Sequence, residues 1–159
     1  MSVPATVTRV AAEAEIASAT AWATRHGWTL QWNPDALILN ATTKHPAAER
    51  LVEVIAHLDD YRALPPAWRF VTPGTDESPR SAWPSAGELP GVSGSIFHTE
   101  PCVCAPWNRL AYKVHGGPHE DWTMTAWLTV GGGSSKADHL ADMLDQLHQH
   151  LRVSPGFQA

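Results

Sequence analysis

The side chains best able to do chemistry lie between residues 98 and 121. The chain's only two cysteines, Cys102 and Cys104, are one residue apart, and His98, Asn108, His115, His119, Glu120 and Asp121 flank them. A cysteine thiolate is a strong nucleophile and a good leaving group, so a single residue can accept and then release an acyl chain. The run Ala105-Pro-Trp-Asn-Arg109 suits a turn beside an exposed thiol, which makes Cys104 the expected nucleophile and Cys102 the alternative. Imidazole titrates near neutral pH, so His119 is a candidate to activate the thiol or take the proton of an incoming amine, with Asp121 orienting it. Asn108 is the nearest amide after the cysteines and a candidate donor to a developing oxyanion. Plainer roles stand beside these: a small buried hydrophobe for either cysteine, loop packing for each histidine, and a cap on residues 123–130 for Asp121.

The same region offers a second chemistry. His98, Cys102, Cys104, His115 and His119 are ligand types that zinc accepts. Cys-x-Cys is a weaker signal than Cys-x-x-Cys, and no second cysteine pair exists. Cysteines this close rarely bridge without strain, and a cytoplasmic chain would keep them reduced. No cofactor is expected. Arg109 and Lys113 either steer a partner carboxylate or are solvated.

These residues need elements to hold them. Val7, Val10, Ala14, Ala17 and Ala21 recur at helical spacing, and Gly27 is a natural stop, so residues 6–26 are expected as a helix packing a thin, alanine-rich stripe on a sheet. From Trp28 the period becomes two, giving expected strands over 28–32, 36–42, 49–58 and 68–71. Asn33-Pro-Asp35 and Lys44-His-Pro46 turn the chain between them, and Pro65-Pro66 forms a corner before the fourth strand. Residues 72–95 read as a long loop, 96–112 as largely irregular, 123–130 as a helical turn or short strand, and 131–135 as a flexible joint. Ser135-Lys-Ala-Asp138 resembles a capping box opening a last helix, whose apolar face is Leu140, Met143, Leu144, Leu147 and Leu151.

Within this order, Tyr61-Arg-Ala-Leu-Pro65-Pro66-Ala-Trp-Arg-Phe70-Val-Thr72 resembles the Tyr-Pro-x-x-Pro-Pro-x-Val-x-Phe-x-Thr stretch of ubiquitin-conjugating enzymes. Tyr61, Pro65, Pro66, Phe70 and Thr72 fall in register, while Arg62 and Trp68 replace a proline and a valine. Val103-Cys104 is similar to that family's Ile-Cys pair. Its His-Pro-Asn becomes His98-Thr-Glu-Pro101, without the asparagine, and Trp122 lies further from the cysteine than the family's tryptophan does. The resemblance implies an α+β fold of the conjugating-enzyme type over residues 1–159: N-terminal helix, four-stranded antiparallel meander, catalytic loop and C-terminal core helix. It further implies transthiolation. Cys104 would take the C-terminal carboxyl of a ubiquitin-like protein from an activating enzyme and pass it to a protein or other amine acceptor. In that family the first helix meets the activating enzyme. With a single core helix the chain looks like a compact bacterial-type relative, whose pathways include antiviral defence. The alternatives are a non-catalytic scaffold of the same fold, binding a ubiquitin-like protein, and a zinc-binding domain.

The whole chain sets outer limits. At 159 residues it is expected to be one domain, burying roughly two-thirds of its unfolded surface. Net charge is −5 without any block of like charges, which argues against nucleic-acid and anionic-membrane partners. Met1-Ser-Val-Pro4 lacks a basic region followed by an apolar run, so no secretory signal is expected. No apolar run is long enough for a membrane span. Eight tryptophans promise a core rich in large aromatics.

Overall fold

A computed structural model of the chain describes residues 2–129 and 136–159. Helix α1 (Ala5–His26) leads into β1 (Thr29–Asn33), β2 (Ile38–Lys44), β3 (Leu51–His57) and β4 (Ala67–Val71), which pair in chain order as an antiparallel meander. A short hairpin, β5 (Phe97–His98) and β6 (Cys102–Val103), follows, and α2 (Leu140–Val153) is the last element. The architecture is α+β.

Strand alternation builds the core. Ala56 lies opposite Trp68 and Val54 opposite Phe70, so β3 and β4 present one apolar face, continued by Leu39 and Ala41 of β2. Leu140, Met143, Leu144, Leu147 and Leu151 of α2 join this core, all at 1% exposure or less, as their spacing predicts. The turns are set by side chains: Asn33 Oδ1 accepts the N–H groups of Asp35 and Ala36, and His45 Nδ1 those of Ala47 and Ala48.

Helix α1 sits differently from the expectation. Val7, Val10, Ala14, Ala17 and Ala21 face solvent, and Thr8, Ala12, Glu15, Ala19, Trp22 and Ala23 are buried. Small apolar residues surround this helix nearly evenly, so periodicity alone does not choose its inner face. The choice falls to Trp22, the residue with most area to bury, and to Glu15. The Glu15 carboxylate accepts from the Tyr61 hydroxyl at 2.9 and 3.0 Å, from the Arg62 guanidinium at 3.1 Å and from the Leu140 N–H at 2.7 Å. One buried acid thereby ties α1, the proline corner and the first turn of α2 together. It also replaces the expected capping box. His139 precedes α2 without a capping side-chain bond, while Glu15 takes the open N–H from across the fold; Ser135 lies outside the described residues.

The proline corner needs outside partners because neither proline donates and both carbonyls are buried. Arg109, expected at the surface, is 7% exposed and fills that need. Its Nε donates to the Pro65 carbonyl at 3.0 Å, its N–H to Pro66 at 2.8 Å and its guanidinium to the Asp59 carboxylate at 2.7 Å. Lys113 is exposed and paired with Glu120 at 3.4 Å. Residues 96–112, read as irregular, contain the β5–β6 hairpin and a tight turn over Arg109–Ala111. Two-residue strands are too short to leave a period. Residues 124–126 form a single 3-10 turn, and the joint at 131–135 lies outside the described residues.

Candidate active site around Cys104

The pair at the centre of the site comes from two loops. Cys104 follows β6, and its N–H donates to the Ile96 carbonyl at 2.7 Å, which pins the residue beside β5. Its half-buried Sγ lies 2.8 Å from Nε2 of His119. His119 is held from both sides of its own backbone, its N–H donating to Ala111 and its carbonyl accepting from Lys113. This return is possible because Gly117 passes directly over Ala111. A Cβ at Gly117 would fall 2.2 Å from the Ala111 carbonyl carbon and 2.4 Å from the Leu110 oxygen. Glycine is required there by space.

The imidazole plane is fixed by Trp122, whose ring stacks on it at 3.5 Å and 3°, with Tyr112 edge-on to Trp122 at 5.6 Å. Asp121 Oδ1 lies 4.0 Å from Nδ1 of His119, and its carboxylate is largely exposed. Asp121 therefore supplies charge at the second ring nitrogen without a short bond.

Electrostatics sets the resting state. Burial pushes the Cys104 thiol above its ordinary value, and burial lowers His119 below its own, with Asp121 opposing and His98 adding to that lowering. Both effects favour neutral partners, a thiol beside an imidazole. Nε2 is placed to accept the S–H proton, and the face of Trp122 would favour an imidazolium there.

The other expected residues separate from this pair. Cys102 is 9% exposed, its thiol donates to the Leu110 carbonyl at 3.7 Å, and burial together with Cys104 pushes it up to about 12. It behaves as a buried hydrophobe. Asn108, the expected oxyanion donor, is fully buried: Oδ1 accepts from the Trp68 and Leu110 N–H groups and Nδ2 donates to the Val103 carbonyl at 2.7 Å. These bonds fix the loop that carries Cys104 and give Asn108 a positioning role in place of the oxyanion contact. The expected zinc set is not assembled either. Among the described residues, the one group of three potential ligand atoms lying within 4.8 Å of one another is Asp138, His139 and Asp142, at the exposed start of α2.

Two residues of the site escaped the sequence reading, Gly117 and the stacking role of Trp122. The spacing His119-x-x-Trp122 carries the signal for the second, because a turn brings residues three apart into contact. Comparison with protein-family models, with curated proteins and with solved structures gives no match. Among the described residues no helix is long and apolar enough to cross a membrane.

Proposed function

We propose that this chain is an acyl carrier of the ubiquitin-conjugating type, holding the C-terminal carboxyl of a ubiquitin-like protein as a thioester on Cys104. The observation that carries the reading is the half-buried thiol 2.8 Å from His119 Nε2, with the ring stacked on Trp122 and Asp121 behind it. The Tyr61–Thr72 resemblance and the order helix, four-stranded meander, loop, helix support the choice of acyl chain. So does the apolar stripe on the solvent face of α1, the helix that meets the activating enzyme in that family.

In the first step the Cys104 sulfur attacks the thioester carbonyl on the activating enzyme while His119 takes the thiol proton. The new S–C bond forms, the old one breaks, and the departing thiolate receives the proton. In the second step an amine attacks the carbonyl on Cys104, an N–C bond replaces the S–C bond, and the amine's proton passes through His119 to the Cys104 sulfur. The test is a non-reducing gel after mixing the chain with activating enzyme, modifier and ATP. A reductant-sensitive adduct lost in Cys104→Ala and kept in Cys102→Ala is expected. A demonstrably charged activating enzyme that leaves no adduct would overturn the reading.

One observation favours a second reading, a non-catalytic domain that binds a partner and a divalent cation through Asp138, His139 and Asp142. Metal analysis of the purified chain, with Asp138→Asn/Asp142→Asn as control, separates the two. Bound zinc that disappears in this variant, with no adduct on Cys104, would favour the second.

A further inference from the structure

A thiol gives up its proton on acylation, and the base left beside it then governs how long the acyl group stays. In this chain the base is held in place by contacts that do not involve the sulfur. His119 is bonded through its backbone N–H to Ala111 and through its carbonyl to Lys113, and Trp122 stacks on its ring at 3.5 Å. Trp122 is met edge-on by Tyr112, whose hydroxyl donates at 2.7 Å to the carbonyl of Pro106, two residues after Cys104. The loop bearing the base is thus tied to the loop bearing the thiol. Asp121 Oδ1, 4.0 Å from Nδ1 of His119, favours the tautomer with its N–H on that nitrogen, which leaves the Nε2 lone pair facing the sulfur 2.8 Å away. In the free chain that lone pair meets the thiol. On an acylated sulfur there is no proton to accept, and the nearest source is solvent: the His119 side chain is 29% exposed and Cys104 is half-buried, so both border water.

We propose that the chain has a second activity as a thioester hydrolase: Cys104 takes acyl groups from small activated esters and thioesters, and His119 discharges them to water as carboxylates. The inference stands on the geometry of the pair and holds for whatever acyl chain reaches the sulfur. In acylation the sulfur attacks the carbonyl, His119 takes the thiol proton, and the alcohol or thiol of the substrate departs with that proton. In deacylation Nε2 takes a proton from water, the water oxygen forms the new C–O bond and the C–S bond breaks. The imidazolium then returns its proton to the Cys104 sulfur, and the acid product ionises.

The test follows deacylation alone. The chain is acetylated with p-nitrophenyl acetate in amine-free buffer and freed of excess ester by rapid gel filtration. The acetyl group on Cys104 is then followed by mass spectrometry with peptide mapping. The unaltered chain is expected to lose the acetyl mass roughly 100-fold faster than His119→Ala. A second readout needs no variant. Burial and His98 lower His119, with Asp121 opposing, so the rate of loss should rise at acidic pH and level off toward neutrality. Hydrolysis by hydroxide would instead climb about tenfold with every pH unit. Equal rates in the two chains, that continuous climb, a Cys104 that takes no acetyl, or acetyl that moves to a lysine without loss of mass would each overturn the proposal. The carrier reading fails on different evidence, a charged activating enzyme that leaves Cys104 bare at early times. A chain that hydrolyses acetyl but takes no ubiquitin-like protein would keep this activity and lose that reading.

Discussion

At the scale of single residues, the proposed chemistry comes down to a neutral thiol beside a neutral imidazole. His119 titrates below its ordinary value, so its base form is already present at mildly acidic pH, and the Cys104 thiol ionises above its own range. Alkylation of Cys104 is therefore expected to rise in two steps with pH: once below pH 6.5 as His119 loses its proton, and again in the alkaline range as the thiol ionises. His119→Ala should lose the first step, slowing the reaction near neutrality by roughly 100-fold. An unchanged single-step profile in that variant would remove His119 from the chemistry. That Cys104, His119 and Asp121 lie together was legible in the sequence because thiol, imidazole and carboxylate are gathered in one short stretch. Asn108 and Arg109 were misread for the opposite reason. Their types suit chemistry equally well, and nothing local reveals that the carbonyls of Val103, Pro65 and Pro66 and the N–H of Trp68 need them.

At the scale of elements, the strands and α2 could be read because their sequences show a period of two or 3.6, although β3 is buried on both faces, Glu53 and Ile55 as well as Val52, Val54 and Ala56. Helix α1 could not, since alanines on every side leave its orientation to residues distant in sequence. Glu15 carries that orientation. Glu15→Ala would leave the Tyr61 hydroxyl, the Leu140 N–H and a partly buried Arg62 without their shared acceptor, and should cost about 2–4 kcal/mol in urea unfolding. A loss below about 0.5 kcal/mol, the usual range of a surface substitution, would show that the network does not orient the helix. The outward stripe makes a contrasting prediction. Val7 and Val10 are 56% and 69% exposed, so Val7→Asp/Val10→Asp should leave the unfolding midpoint and Cys104 alkylation unchanged. The same variant should fail to acquire a thioester from the activating enzyme, the surface that the carrier reading needs. Normal charging would assign that contact to another face.

At the scale of the whole molecule, four of the nine histidines make stability depend on pH in a direction that can be worked out. His45, His119, His148 and His150 are all lowered, in each case chiefly by burial, and three of the four hold parts of the fold together. His45 meets Ser154 after α2 and caps the β2–β3 turn. His148 accepts the Trp28 indole N–H at 3.1 Å, bridging α2 to the start of the sheet, and only an unprotonated Nδ1 can do so. His150 packs against Phe97 of β5. For these groups the folded chain binds protons less readily than the unfolded chain, whose histidines titrate near 6.5. Their neutral forms cost nothing above that value in either state. As pH falls below 6.5 the unfolded state takes up protons first, and stability declines until the lower folded values are passed. Each fully uncoupled histidine contributes at most about 1.4 kcal/mol per pH unit. The unfolding midpoint should accordingly be nearly flat from pH 8 to 7 and fall steeply between 6.5 and 5. Replacing His148 by Gln keeps an acceptor for Trp28 and removes the titration, so it should reduce the steepness of that fall. A midpoint independent of pH across this window would mean that the histidines are as accessible to protons in the folded chain as in the unfolded one, contrary to the packing of α2 on the sheet.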